Sequence, residues 1–387
     1  MTHTNDQALA QALKPLTCDI FCHVIDNFGD AGVCWRTARA LAAEEGLAVT
    51  LYIDDIATLA IIVPGINPEK RDGQSVSGIE ILGWEECLKR EPADAVIETF
   101  GCRLPDAFEE AIAAKNERGA HVAWLNLEYL SAEDWVEECH GLPSPHPRLA
   151  ATKTFFFPGF TERTGGVVIE RGLTEAREAW GGEEKAQFLK SLGADPQAPF
   201  TLFFFSYPEA PIEALAASLA ADPRPLQVLA APGAAGEKLG KALEALHAPQ
   251  VDFRPIPAVP QSSFDKVLWS ADALIIRGED SFVRAQLAAR PFIWTIYKQE
   301  ENAHIVKLKA FMDRIGVDFT PEARSLWREA NLAWNECRWE PRHWKAFRDL
   351  APALESGTRD WAQKLERLGS LAPKLAKLIR KELELRA

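Results

Sequence analysis

Asp26 and Asp30 stand four residues apart in the run Asp26-Asn27-Phe28-Gly29-Asp30-Ala31-Gly32, just after an apolar segment that starts at Thr17. Two carboxylates on one edge of a cleft can hold a cationic group between them, or one can take a proton while the other grips the group that loses it. The plainer reading is local: Asp30 caps the helix that follows, and Asp26 closes an Asx-turn. Gly29 and Gly32 would leave room for a closely approaching ligand. A second run, Arg277-Gly278-Glu279-Asp280-Ser281, opens another helix after another apolar segment. Free backbone N–H groups at a helix start, the Ser281 hydroxyl and the Arg277 charge together suit a diphosphate. Glu279 and Asp280 would repel phosphate if aimed at it, so at least one must turn toward sugar hydroxyls or the reacting centre. Here too a plainer reading exists, an acidic first turn with a serine cap.

What is missing narrows the chemistry. No GxGxxG follows the first strand, and a carboxylate stands where a dinucleotide's pyrophosphate would approach, which disfavours hydride transfer. The chain holds no DxD and no His/Cys/Asp cluster with ligand spacing, so no metal site is expected and diphosphate charge must be met by helix starts and arginine. His23, inside an apolar run, reads as a core residue, and neither it nor His304 is given a catalytic role. The seven cysteines, none in a CxxC pair, read as small buried hydrophobes in a reducing compartment. Asp plus Glu number 56 against 43 Lys plus Arg, and the net charge of −13 repels nucleic acid and anionic membrane faces. With neither a leader pattern nor a long uncharged apolar stretch, the chain is expected in the cytoplasm.

The elements that must position these runs alternate. Apolar segments at 17–26, 48–54, 79–84, 95–100 and 121–130 are separated by helical or turn-rich stretches, a rhythm that predicts a parallel sheet with helices on both faces. Residues 27–32 read as a loop, with the helix starting at Val33. The stretch 141–199 breaks the rhythm, and a second α/β series follows from Phe200. The 387 residues are thus expected to form two Rossmann-like domains facing a cleft, residues 1–165 and 166–355, with helices of 356–387 crossing back to the first. Five of the twelve tryptophans lie beyond residue 321 and should cement a helical layer onto the second domain. In the last helix Leu371, Leu375, Leu378, Ile379 and Leu385 form the docking face.

The runs VIDNFGDAGVCWRTAR (24–39), FFFSYP (203–208) and IIRGEDSFVRAQLAARPFIWTIY (275–297) resemble the bacterial protein-arginine rhamnosyltransferases that modify translation elongation factor P. The resemblance runs over most of the chain. It implies a GT-B glycosyltransferase, inverting and independent of any metal or other cofactor, that moves rhamnose from dTDP-β-L-rhamnose to one arginine of elongation factor P. It also implies that Asp26, Asp30 and Glu279 are catalytic and that Tyr207, Gln261, Arg277, Asp280 and Ser281 hold the donor nucleotide. Asn27, Phe28, Gly29 and Gly32 would lie at the donor sugar. Where such enzymes carry an aromatic residue just before the glutamine, this chain has Ala258 and Val259. Two other readings fit the same elements: a sugar-nucleotide epimerase or small-acceptor glycosyltransferase of this fold, and a nucleotide-binding module without turnover.

Overall fold

The computed structural model describes residues 15–25 and 28–385. In the first unit, β1 (Thr17–Cys22) leads to α1 (Phe28–Glu45), β2 (Ala48–Ile53), α2 (Ile56–Ile62), β3 (Gln74–Val76) and β4 (Ile79–Leu82). Then come β5 (Ala95–Thr99), α3 (Asp106–Glu117), β6 (Ala123–Leu127), α4 (Val136–Cys139), β7 (Pro143–Pro145) and β8 (Thr152–Phe156). The sheet order is β3-β4-β2-β1-β5-β6-β8-β7, with parallel pairing throughout except for the antiparallel outer strands β3 and β7. Period-two alternation gives β1 two buried faces: Cys18, Ile20 and Cys22 pack under α1, while Phe21 stacks on Tyr52 on the other side.

Residues beyond Phe156 form α5 (Leu173–Ala179) and α6 (Gly182–Ser191) before the second sheet begins. That unit runs β9 (Thr201–Phe204), α7 (Ile212–Ala221), β10 (Leu226–Ala230), α8 (Ala234–Ala245), β11 (Val251–Pro255), α9 (Gln261–Ser270), β12 (Ala273–Arg277), α10 (Asp280–Leu287) and β13 (Phe292–Thr295). Its five strands are all parallel, in the order β11-β10-β9-β12-β13. In each sheet the chain reverses its direction of strand addition beside the first strand, between β1 and β5 and between β9 and β12. Open α/β sheets bind ligands at the carboxyl ends of such strands. At the carboxyl ends of β1, β9 and β12 stand Asp30 in the first turn of α1, Tyr207 in the loop after β9, and Arg277 as the last residue of β12.

A helical layer of α11 (Ala303–Ile315), α12 (Pro321–Asn335), α13 (Pro341–Asp349) and α14 (Ala351–Leu368) covers the second sheet. The late tryptophans do cement it. Trp327 donates to the Phe292 carbonyl, Trp334 to Thr295, Trp344 to Asp222 and Trp361 to Gln286, each with its ring in the core. Trp361 keeps α14 on the second unit, so of the final helices α15 (Leu371–Glu384) is the one that returns, seating Leu371, Leu375 and Ile379 in the core beneath α1. Leu385 does not join them; it is exposed. Two single-residue expectations also change. His23 lies at the surface, paired with Asp54, because β1 ends at Cys22, and Cys337 is exposed at a left-handed turn. No helix among the described residues is long and apolar enough to cross a membrane.

Helix α1 starts five residues earlier than its glycines suggest. Gly29 and Gly32 fall inside it, Ala31, Cys34, Trp35, Ala38 and Leu41 supply its apolar face, and Gly46 at φ +72° follows its end. Glycine is a poor helix former, but here packing overrides propensity: a Cβ on Gly32 would stand 3.1 Å from Gln261 Nε2 and 3.2 Å from Asp280 Oδ2.

Candidate functional site

The cleft between the two sheets holds two cavities that share Gly29 and Gly278 as a common border. The larger, about 370 Å³, is walled by Phe28 and Ile62 from the first unit and by Phe203, Phe205, Val259 and Phe264 from the second. Its polar edge is Gln261, Arg277, Asp280 and Ser281. The smaller, about 160 Å³, brings Asp30 and Glu279 together with Tyr129, Tyr297 and Lys307. Asp30 and Glu279, 249 residues apart in sequence, therefore meet at one cavity.

Gly278, at φ +68°, makes the turn from β12 into α10, a conformation that excludes most side chains. Arg277 lies over the rings of Phe205 and Tyr207, 4.6 Å from each centroid, which holds the guanidinium at the cavity edge. Tyr207 thus stands behind Arg277 and meets Tyr297 edge-on, lining a neighbouring recess rather than the large cavity. Glu279 occupies the N-cap position of α10 but makes no capping bond with its side chain. Its Oε2 instead accepts from the Leu130 backbone N–H, 3.2 Å away in the first unit. At the start of α10 the Glu279 carboxylate is thus bonded to the first unit without capping its own helix, and it borders the small cavity. Ser281 donates its hydroxyl to the Arg277 carbonyl and so closes the turn, leaving backbone N–H groups as the donors at the start of α10.

Asp30 is buried in the first turn of α1, where its Oδ2 accepts from the Ile25 N–H at 2.8 Å. The carboxylate reaches back along the chain while still bordering the small cavity. Phe28 and Gly29 line the large one. Gly32 borders neither: the space above it is taken by the Gln261 and Asp280 side chains, so its smallness serves contact between the units rather than ligand approach. Asp26 and Asn27 lie outside the described residues.

A model of the Elongation-Factor P (EF-P) rhamnosyltransferase EarP family matches residues 18–380. The chain belongs to that family. Two protein-arginine rhamnosyltransferases are among its relatives. That of Pseudomonas putida is 40% identical over 95% of this chain and 99% of its own, and that of Shewanella oneidensis is 36% identical over 94% and 97%. A solved structure of EarP-mediated arginine glycosylation of translation elongation factor EF-P superposes with a TM-score of 0.63 at 29% identity, covering 95% of this chain and 99% of that one. As in the EarP family, then, the two facing Rossmann-like units form a GT-B glycosyltransferase. This member transfers rhamnose.

Sequence reasoning missed one part of this EarP-family site, a buried charge network that ties the units together. Arg36 of α1, 3% exposed, bonds Asp280 Oδ1 through Nε at 2.7 Å and Glu170 Oε1 through Nη1 at 2.6 Å. Arg284 of α10, fully buried, bonds Glu170 Oε2 at 2.6 Å and clasps both oxygens of Asp265 at 2.7 and 2.9 Å. Burial alone would raise the Glu170 carboxyl, but the Arg284 and Arg36 guanidiniums outweigh it and hold it down at about 2. Asp280 moves the other way, burial raising it although both arginines oppose the shift. Gln261 donates to the Gly32 carbonyl at 2.9 Å and to Asp280 Oδ2 at 3.2 Å, while its Oε1 is buried with no hydrogen-bond partner among the described residues. The signal was present in WRTAR and RAQLAAR, where an arginine falls on a helix face that is otherwise apolar and small.

Proposed function

We propose that this chain transfers L-rhamnose from dTDP-β-L-rhamnose to an arginine side chain of translation elongation factor P, with inversion at the anomeric carbon and without a metal ion. The carrying observation is that Asp30 and Glu279, from opposite units, border one small cavity that abuts a larger apolar one edged by Arg277 and the start of α10. An apolar slot with Gln261 at its edge suits a pyrimidine base, and the Arg277 charge together with the backbone N–H groups at the start of α10 suits a diphosphate, which puts the sugar at the shared border near Gly29 and Gly278. The EarP family match and the arginine-modifying relatives support the acceptor.

The chemistry this requires is specific. A guanidinium is a poor nucleophile, delocalised and protonated, with a pKa above about 12. Asp30 takes the proton as the new C–N bond forms, and Asp26, by its spacing in the sequence, grips the remaining guanidine nitrogens. Arg277 and the α10 start stabilise the departing dTDP. Positioning both substrates in line contributes up to roughly 7–11 kcal/mol. Among the described residues no group of three or more His, Cys, Asp or Glu is placed to hold a metal ion.

Incubation with dTDP-rhamnose and elongation factor P, followed by weighing of the acceptor, tests the reading. One added deoxyhexose on an arginine is expected, and an acceptor of unchanged mass overturns it. The linkage should be α by NMR, since a β linkage means retention. Transfer should persist in EDTA; its loss there and recovery with Mg²⁺ would end the metal-free reading.

A further inference from the structure

Helix α1 carries Asp30, and six residues later on the same helix Arg36 bonds the second unit's Asp280 at 2.7 Å. One turn nearer to Asp30, the Gly32 carbonyl accepts from Gln261, which also holds Asp280. Gln261 and Asp280 both form part of the large cavity's polar edge. The helix with the proposed base is therefore bonded, through two side chains, to the wall against which the nucleotide would sit.

We propose that Arg36 is a positioning residue: by gripping Asp280 it sets the separation and angle between the bound donor and the Asp30 carboxylate. The inference rests on the proposed role of Asp30, and it assigns Arg36 no contact with either substrate. A plain tether between units would need neither the fork of Arg36 nor a hydrogen at position 32. The observed grip uses both. Nε and Nη1 of Arg36 engage Asp280 and Glu170 at once, an arrangement a lysine cannot copy, and Glu170 is itself fixed by the fully buried Arg284. At position 32 a Cβ would press on Gln261 Nε2 at 3.1 Å, on Asp280 Oδ2 at 3.2 Å and on Asp280 Cβ at 3.3 Å, so any larger residue moves the nucleotide wall. Among the described residues Arg36 Nη2 is buried with no hydrogen-bond partner, while Nε and Nη1 hold their geometry.

The test uses Arg36→Lys and Gly32→Ala in the full chain, with turnover, acceptor KM, dTDP affinity and melting temperature measured on each. Arg36→Lys should lower turnover roughly 10- to 100-fold and weaken dTDP binding roughly three- to tenfold, with acceptor KM within about twofold of the parent. In an Asp280→Asn background the same change should cost less than about threefold, because the partner it acts through is already altered. Gly32→Ala keeps every charge and raises helix propensity, so it should lower turnover by about tenfold or more without lowering the melting temperature. That last pattern cannot come from lost stability, and it carries the test if Arg36→Lys does not fold. Parent-like turnover and dTDP affinity in either variant overturns the proposal, whatever the melting temperature, and so does a loss that multiplies fully with Asp280→Asn. Calorimetric dTDP binding needs no catalysis, so an active Asp30→Asn would remove the base assignment while leaving the donor-wall half of the proposal standing on its own data.

Discussion

The two cavities of the cleft are made from the same pair of units yet differ in kind. The larger is walled by phenylalanines and aliphatic side chains, with its polar groups confined to one edge, while the smaller holds carboxylates from both units beside two tyrosines and a lysine. Apolar walls bind by removing surface from water and tolerate small displacements. Opposed carboxylates act only when the reacting atoms are held at fixed distances. Substitutions around the large cavity should therefore move donor affinity, and those around the small one should move turnover.

The sharpest break of that division is Asp30→Asn. The amide oxygen can still accept from the Ile25 N–H, so the start of α1 keeps its geometry and only the proton acceptor goes. Turnover should fall by roughly two to four powers of ten with dTDP affinity nearly unchanged. Rates within threefold of the parent would remove Asp30 from the base role. Next is Glu279→Gln, where the amide can also keep the bond to the Leu130 N–H and lose only the charge. A loss of roughly one to three powers of ten in rate, about 1.4–4 kcal/mol, is expected at constant melting temperature. A lowered melting temperature with parent turnover would make Glu279 a strut between the units instead.

How much of this was legible in the sequence differs between the cavities as well. The strands behind Asp30, Tyr207 and Arg277 follow from short apolar runs bounded by turn residues, and the second unit's elements from β9 to β13 fall where periodicity puts them. The beginning of α1 did not, because glycine propensity is a local signal and the reason for Gly32 is a contact with residues 261 and 280. The same limit applies to Glu279 and Ser281. Their types mark a helix start, but the partner of one is a backbone N–H 149 residues away and that of the other is the carbonyl of its own turn. The network of Arg36 and Arg284 was hidden for a related cause: a charge on an apolar helix face shows that something pairs with it without showing what.

On the large-cavity side, Arg277→Ala should weaken dTDP binding most. It removes a charged donor and also the cation held between Phe205 and Tyr207, for about 1.5–3 kcal/mol, or roughly ten- to 150-fold in affinity, with a smaller change in turnover at saturating donor. Arg277→Lys should recover little, since a lysine cannot stack flat between the two rings. Full recovery by lysine would mean that the site uses a point charge, and the aromatic pair would lose its explanation.

Ser281→Ala should have the smallest effect, and its size tells which of two bonds matters. In the structure the hydroxyl donates to the Arg277 carbonyl, within the turn that also needs Gly278 at φ +68°. If the hydroxyl stays there when donor binds, the alanine variant loses one local hydrogen bond, about 0.5–1.5 kcal/mol, which should show as a lowered melting temperature with dTDP affinity within about twofold. If it rotates to phosphate, the same energy leaves the bound state instead, and affinity falls roughly two- to twelvefold at constant melting temperature. Ser281→Thr, which keeps the hydroxyl, should match the parent in both measurements. The turn-closing outcome is the expected one, because the backbone N–H groups at the start of α10 can serve an anion without the hydroxyl and a carbonyl left without its donor at the end of β12 would loosen Arg277. A large affinity loss in Ser281→Ala alone would return the hydroxyl to the diphosphate.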